Sequence, residues 1–278
     1  NVDAWPIVLD TQDPDEIVRI VKAIAPAFGG INLEDIAAPH CFNIEKRLIK
    51  ELDIPVMHDD QHGTAIVVLA GLLNAVKVVK KNLKKIKIVI SGAGAAGTAV
   101  AKLLLAAGAT DIILLDRAGT IYKKRIGLNG HKAELAKLTN PRNVKGGLAE
   151  AMKDTDVFIG VSGKGLLKAE HVASMAPHSI VFAMANPDPE ILPDDARKAG
   201  AAVIATGRSD FPNQINNALV FPGIFRGALD KGVQTITQET KIRAAHALAA
   251  LVPKPSSAKI IPDLLDSRVV KAVARAVR

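Results

Sequence analysis

Two short acidic stretches carry the residue types that could do chemistry: NLED at 32–35 and HDDQH at 58–62. Glu34 and Asp35 in the first, and Asp60 with Asp59 beside it in the second, are hard oxygen donors. A divalent cation such as Mg2+ or Mn2+ takes several oxygen ligands, and acids from two strand ends can converge on one ion. Acids at strand ends also cap helices or face water, so spacing alone leaves both readings open. His58 and His62 stand at i and i+4, the spacing of a zinc pair on a helix. Pro55 and the extended run IPVM instead put His58 at a strand end, with His62 in the turn that opens the next helix. The histidines are therefore read as structural or supporting groups, not as zinc ligands.

A second candidate site is the glycine-rich turn ISGAGAAGTAV. Gly92, Gly94 and Gly97, with Ala93, Ala95 and Ala96 between them, follow the apolar run IKIVIS and open the helix TAVAKLLLAAG. In a dinucleotide site the first glycine permits the tight turn, the second lets backbone approach a pyrophosphate, and the third lets helix and strand pack closely. The helix N-terminus then offers N–H groups to the phosphates. Asp116, closing the next strand, stands where an acid bonds the ribose hydroxyls of NAD. Arg117 follows it and could pair with a 2′-phosphate, which keeps NADP open. Ser162 and Gly163 close the strand DVFIGVS and would line the same crevice. A ligand-free turn remains the plain alternative for the glycines, and a helix cap for Asp116.

The elements that must position these groups follow from periodicity. DPDEIVRIVKAIAPAF reads as a helix capped by Asp13, with Pro14 at its first position and Ile17, Ile20, Val21 and Ile24 on one face. GGINLEDI and IPVMHDD read as short strands, and PHCFNIEKRLIKEL as a helix packing through Phe42, Ile44, Leu48 and Leu52. A buried helix is expected from Gly63 to about Lys81. Strands are expected at IKIVIS, DIILLD, DVFIGVS, SIVFAMANP, AAVIATG and ALVFPG, and C-terminal helices at TQETKIRAAHALAALV and DSRVVKAVARAV. The pattern predicts an α/β chain: a Rossmann-type doubly wound parallel sheet with C-terminal helices over 59–278, and a smaller, incomplete N-terminal α/β domain over 1–58.

Composition narrows the classes. The net charge of +8 raises a nucleic-acid partner, but 3% aromatic residues leave little to stack bases, and many of the lysines fall in KVVKKNLKKIK on an open helix end. No stretch approaches the roughly 18 uncharged apolar residues of a membrane span, and no basic-then-apolar leader is seen. One cysteine, Cys41, precludes an internal disulfide and suits a reducing cytoplasm. The chain opens without methionine and enters the strand-like run PIVLD at once, as though cut from something longer.

FGGINLEDIAAPHCFNIEKRL, IPVMHDDQHGTAIVVLAGLLNA, ISGAGAAGTAVAKLL, FAMANPDPEI and FPNQINNALVFPG, in this order, resemble the bacterial and archaeal malic enzymes. The resemblance implies oxidative decarboxylation of (S)-malate to pyruvate and CO2 with NAD(P)+ and Mg2+ or Mn2+, in a homodimer or larger homo-oligomer. It maps the metal ligands onto Glu34, Asp35 and Asp60, with Asp59 an auxiliary neighbour. It maps the substrate-binding asparagines onto Asn186 and the Asn216–Asn217 pair, Asn217 above all. It also implies a general-base lysine and an acid tyrosine in segments preceding Asn1, so the chain as given is expected to lack both and to be inactive by itself. Tyr122, next to Asp116, belongs to the adenosine side, and Lys164 to the surface. Rival readings are a malolactic or oxaloacetate-decarboxylating relative and a noncatalytic NAD-binding module.

Overall fold

The structure, a computed structural model, describes residues 2–128 and 130–278. Residues 2–9 form no strand, against the expectation at PIVLD, and Trp5 and Val8 lie on the surface. Pro6 brings no N–H to a ladder. Helix α1 (Pro14–Ile24) starts as its sequence dictates, the Asp13 carboxylate accepting from Asp15 N–H at 2.7 Å and Glu16 N–H at 3.1 Å. Its apolar face, Ile17, Val18 and Val21, closes a small core with Leu33 of β1 (Ile31–Leu33), Ile44 and Leu48 of α2 (His40–Glu51) and Val56 of β2 (Val56–His58). Strands β1 and β2 pair in parallel, Leu33 opposite His58.

Helix α3 (Asp59–Val78) springs directly from β2, so the acids of HDDQH form its first turn and the helix begins ahead of the expected Gly63. Next come β3 (Lys87–Ser91), α4 (Ala95–Ala106), β4 (Asp111–Asp116) and β5 (Gly119–Thr120). The short helices α5 (Gly130–Leu138) and α6 (Leu148–Met152) lead to β6 (Val157–Gly160), α7 (Ala169–Ala173), β7 (Ile180–Ala183), α8 (Pro193–Lys198) and β8 (Val203–Thr206). The chain finishes in α9 (Phe221–Lys231), α10 (Gln238–Ala250) and α11 (Arg268–Ala276).

The main sheet has the order β5-β4-β3-β6-β7-β8, parallel throughout except for the antiparallel edge β5. The chain leaves β3 for β4 on one side and returns to β6 on the other, which makes the β3–β6 junction the switch point where such sheets bind ligands. The strand ends are level there: Ser91, Gly160, Ala183 and Thr206 are successive register partners. This is the doubly wound sheet expected from the alternating strands and helices.

By length and composition α3 could cross a membrane, which corrects the expectation that no stretch comes near that limit. It is instead the central core helix: 72% of its most apolar window is buried, and it packs on α4 and α10. ALVFPG is not a strand. Asn217–Leu219 form a 3-10 turn and Phe221 begins α9, with Pro222 in its first turn. Gly223 and Gly227 let α9 seat on α11; a Cβ on Gly227 would lie 2.4 Å from Ala274 O. A short apolar run bounded by Pro and Gly has no periodicity to separate strand from helix, and this packing decides it.

Candidate functional site

The pairing of β1 with β2 is what brings the acids together. Because Leu33 lies opposite His58, the residues that follow each strand, Glu34–Asp35 and Asp59–Asp60, emerge side by side. Asp35 takes a left-handed backbone, φ 58°, and its N–H donates to Asp60 Oδ2 at 2.9 Å across 25 residues of sequence. Asp59 is fully buried, and Asn217 Nδ2 donates to its Oδ2. Its other oxygen, Oδ1, is buried without a hydrogen-bond partner. Gly63, one turn further along α3, leaves room for this carboxylate, since a Cβ there would lie 2.0 Å from Asp59 Oδ1.

The acids are under electrostatic pressure. Burial, then Glu34 and Asp60, push the Asp59 carboxyl up to about 7, against the Asn217 hydrogen bond. Burial, then Asp60 and Asp35, also raise Glu34. A cluster of carboxylates in which Asp59 and Glu34 are raised by their acidic neighbours, with one orphaned oxygen, suits a hard cation by donor type and by charge. Among the described residues no three His, Cys, Asp or Glu side chains yet close on one point that could hold an ion. Glu34, Asp35 and Asp60 thus share a platform without forming a finished cage.

His58 ends β2 with its Nε2 3.7 Å from Asp60 Oδ2, and burial lowers its pKa more than Asp60 and Glu45 raise it. His62 belongs to a different network that sequence reading missed. Glu45 of α2 accepts from His58 N–H at 2.8 Å, from Gln61 Nε2 at 3.1 Å and contacts His62 Nε2 at 3.0 Å. Lys241 of α10 lies 3.0 Å from His62 Nδ1, and burial lowers this lysine to about 8. The network ties α2 and α10 to the turn that presents the acids. Nothing in the sequence neighbourhood of Glu45 or Lys241 signals it.

The glycine turn has the form its spacing requires. Gly92 sits at φ 114°, and a Cβ there would lie 2.6 Å from Val161 O. A Cβ on Gly97 would lie 1.8 Å from Gly92 O, so the third glycine is the contact between turn and helix. Gly94 faces open space and is the N-cap of α4 without any side-chain cap. A side chain there would occupy the room a pyrophosphate needs, while the helix N–H groups point into it. Ala93 contributes its carbonyl oxygen to His131 Nε2 at 3.0 Å, and Ala95 and Ala96 begin α4.

Asp116 does end β4, but its partners are not Arg117, which is exposed. Its Oδ2 accepts from Arg125 Nη2 at 2.6 Å and Lys132 Nζ at 2.7 Å, and its Oδ1 from Ala118 N–H at 3.0 Å. Burial alone would raise the carboxyl; Arg125, Lys132 and the Ala118 N–H overcome that and hold it at about 2. Tyr122 lies on this side, its ring 5.3 Å from Lys145 Nζ. Lys164 is a surface lysine, 78% exposed and 3.6 Å from Asp188. Ser162 follows β6, its Oγ 3.0 Å from Ser91 Oγ. Asn186 is exposed in the loop after β7. Of the asparagine pair, Asn216 caps the 3-10 turn by accepting from Ala218 N–H at 2.9 Å, and only Asn217 reaches the acids.

Comparison with known proteins gives the family. Residues 61–278 match the family model described as malic enzyme, NAD binding domain, and residues 9–49 the one described as malic enzyme, N-terminal domain. The chain is 59% identical to the NAD-dependent malic enzyme of Geobacillus stearothermophilus, covering 100% of this chain and 58% of that protein. It is 57% identical to the bifunctional malic/malolactic enzyme of Bacillus subtilis, covering 68% of that protein. Among solved structures, the NAD-dependent malic enzyme of Thermotoga maritima superposes with a TM-score of 0.96 at 45% identity, over 99% of this chain and 73% of that one.

Proposed function

This chain belongs to the malic enzyme family, and we propose that it carries the metal, cofactor and part of the substrate machinery for oxidative decarboxylation of (S)-malate to pyruvate and CO2 with NAD(P)+. The observation that carries the reading is the Asn217–Asp59 hydrogen bond. It joins the acidic platform of β1 and β2 to the segment that follows β8, on the side of the sheet where its strands end, which supports one shared site.

In this reading Glu34, Asp35 and Asp60 hold Mg2+ or Mn2+. Bound there, such an ion would supply Lewis-acid stabilisation of negative charge on substrate oxygen. The chain's own groups do the rest of the work assigned here. Asn217 and Asn186 orient the substrate carboxylates through neutral amides, with Asn216 fixing the turn. Asp59, anchored by Asn217, is an auxiliary group beside the ligands. Gly92, Gly94, Gly97 and the bare N-terminus of α4 receive the pyrophosphate, with Ala93, Ala95 and Ala96 completing the cradle and Ser162 lining the crevice. Asp116 faces the adenosine ribose, with Arg117 beside it. Its pairing with Arg125 and Lys132 leaves it partly engaged, which makes NADP admissible beside NAD.

The division proposed is residues 1–58 for the metal and substrate unit and 59–278 for the cofactor unit. A cytoplasmic homodimer or larger homo-oligomer completes the proposal, with no nucleic-acid or membrane partner. A malolactic outcome is a second reading, favoured by the 57% identity to the bifunctional Bacillus subtilis relative. Both are tested by incubating the chain, and a form extended at its N-terminus, with malate, Mn2+ and NAD+ or NADP+, and following reduced cofactor and product. Pyruvate with stoichiometric NAD(P)H supports the first reading and lactate the second. Absence of metal-dependent malate consumption in both forms contradicts them.

A further inference from the structure

Glu190 is a fully buried carboxylate that none of the steps above uses. Its Oε1 accepts from Ser162 N–H at 3.0 Å, and its Oε2 from Ala185 N–H at 3.0 Å. Ser162 follows β6 on the cofactor side, and Ala185 immediately precedes the candidate substrate residue Asn186. The Ser162 Oγ is 3.4 Å from Glu190 Oε1 and 3.0 Å from Ser91 Oγ, the residue before Gly92. The backbone reinforces the tie: Leu167 N–H donates to Glu190 O at 3.1 Å and Gly165 N–H to Pro189 O at 3.2 Å.

Gly160 makes room for this group. A Cβ on Gly160 would lie 2.3 Å from Glu190 Cδ, inside any tolerable contact. Burial raises the Glu190 carboxyl, and the groups that oppose the rise are backbone N–H donors and Ser162 rather than a cation. A buried carboxylate without a counter-ion is a costly way to link two loops. What it offers that an amide does not is two equivalent acceptors on one rigid plane.

We propose that Glu190 is a positioning residue, holding the cofactor-side loop after β6 and the substrate-side loop after β7 at a fixed separation. The adenosine half of a dinucleotide lies over β3 and β4 and the nicotinamide half over β6 and β7. Hydride transfer needs ring and substrate carbon in contact, so the spacing of these two loops sets the reacting geometry. The role rests on the malate reading given above, but its test does not depend on turnover.

The test compares the wild-type chain with Glu190→Gln, which keeps shape but turns one acceptor into a donor facing an N–H, and with Gly160→Ala, which displaces the carboxylate from the opposite strand. Amide hydrogen exchange and titrations with NADH and with AMP are read on each. The expected result is at least tenfold faster exchange at both Ser162 and Ala185, at least tenfold weaker NADH binding, and AMP binding within threefold of wild type. Where malate turnover is present, kcat falls more than the KM for NAD+ rises. AMP and NADH weakened in parallel, unchanged loop exchange, or a Glu190→Gln chain that fails to fold would each overturn the proposal and leave Glu190 a stability residue. A wild type that binds NADH but consumes no malate overturns the proposed activity alone, because the exchange and AMP comparisons still decide the role of Glu190.

Discussion

The glycine turn and the acidic platform are built on opposite principles. The turn from Ser91 to Gly97 is made by consecutive residues, and sterics fix it: Gly92 at φ 114° and Gly97 against Gly92 O admit no side chain. The platform is assembled from residues far apart in sequence, and electrostatics strain it. On top of burial, Glu34 and Asp60 raise Asp59, and Asp60 and Asp35 raise Glu34, with the Asp35–Asp60 and Asn217–Asp59 hydrogen bonds holding the group in place. The turn is fixed by backbone contacts, its own and that with Val161, whereas the platform has unspent negative charge that a cation would neutralise. A backbone site should be sensitive to added volume, and a charge site to lost charge.

That contrast can be broken by substitution. Asp60→Asn keeps volume and removes charge; Mn2+ affinity is expected to fall more than about 100-fold, since even groups that merely orient metal ligands are worth about 10- to 100-fold. NADH binding should stay within threefold, and a parallel loss of both would dissolve the distinction between the regions. Gly97→Ala adds one methyl against Gly92 O and should weaken NADH binding by more than tenfold with a stability loss of about 1–3 kcal/mol, read by titration and urea melts. Mn2+ binding should survive it.

Asp116 sharpens the contrast from within the cofactor region, because there charge is already neutralised by Arg125 and Lys132. Against burial, its carboxyl is lowered from the ordinary 3.8 to about 2 in the fold by Arg125, Lys132 and the Ala118 N–H. A group with a lowered folded pKa contributes fully above its unfolded value, and the contribution disappears as pH falls from about 4 through about 2. Asp116→Asn should remove that pH dependence from the unfolding free energy and shift the NADP+ to NAD+ preference toward NADP+ by about tenfold, roughly 1.4 kcal/mol, as the two cations are released. An unchanged preference would show that Asp116 does not face the ribose. The smallest effect belongs to Lys164→Ala, at a surface position, where NADH binding should stay within twofold. A tenfold loss there would reassign the lysine.

Legibility in the sequence follows the same line. Local signals were readable: the Asp13 cap and Pro14 start of α1, the β3-turn-α4 unit, the C-terminal helices, and the motif set that resembles the family. Contacts between distant residues were not. Asp116 was assigned by its strand end, but its partners stand 9 and 16 residues on, after an antiparallel strand of two residues with no hydrophobic pattern. Glu45 and Lys241 meet through His62 only because α2, α3 and α10 converge. Asn186–Pro187 reads as an ordinary turn, and nothing in the sequence singles out Glu190, whose place shows only where Gly160 yields space to it. The strand expected at ALVFPG failed because local apolarity cannot tell which neighbour, sheet or helix, will receive it.

The central claim is that the acids after β1 and β2 form one divalent-cation site. Titration of Mn2+ into the chain, followed by the electron paramagnetic resonance signal of the free ion, measures this without substrate or cofactor. The account predicts one Mn2+ bound per chain, with affinity reduced at least about 100-fold in Asp60→Asn and also lowered in Glu34→Gln, while Gly97→Ala binds as wild type. No binding by the wild type, or equal binding by Asp60→Asn and wild type, would contradict it.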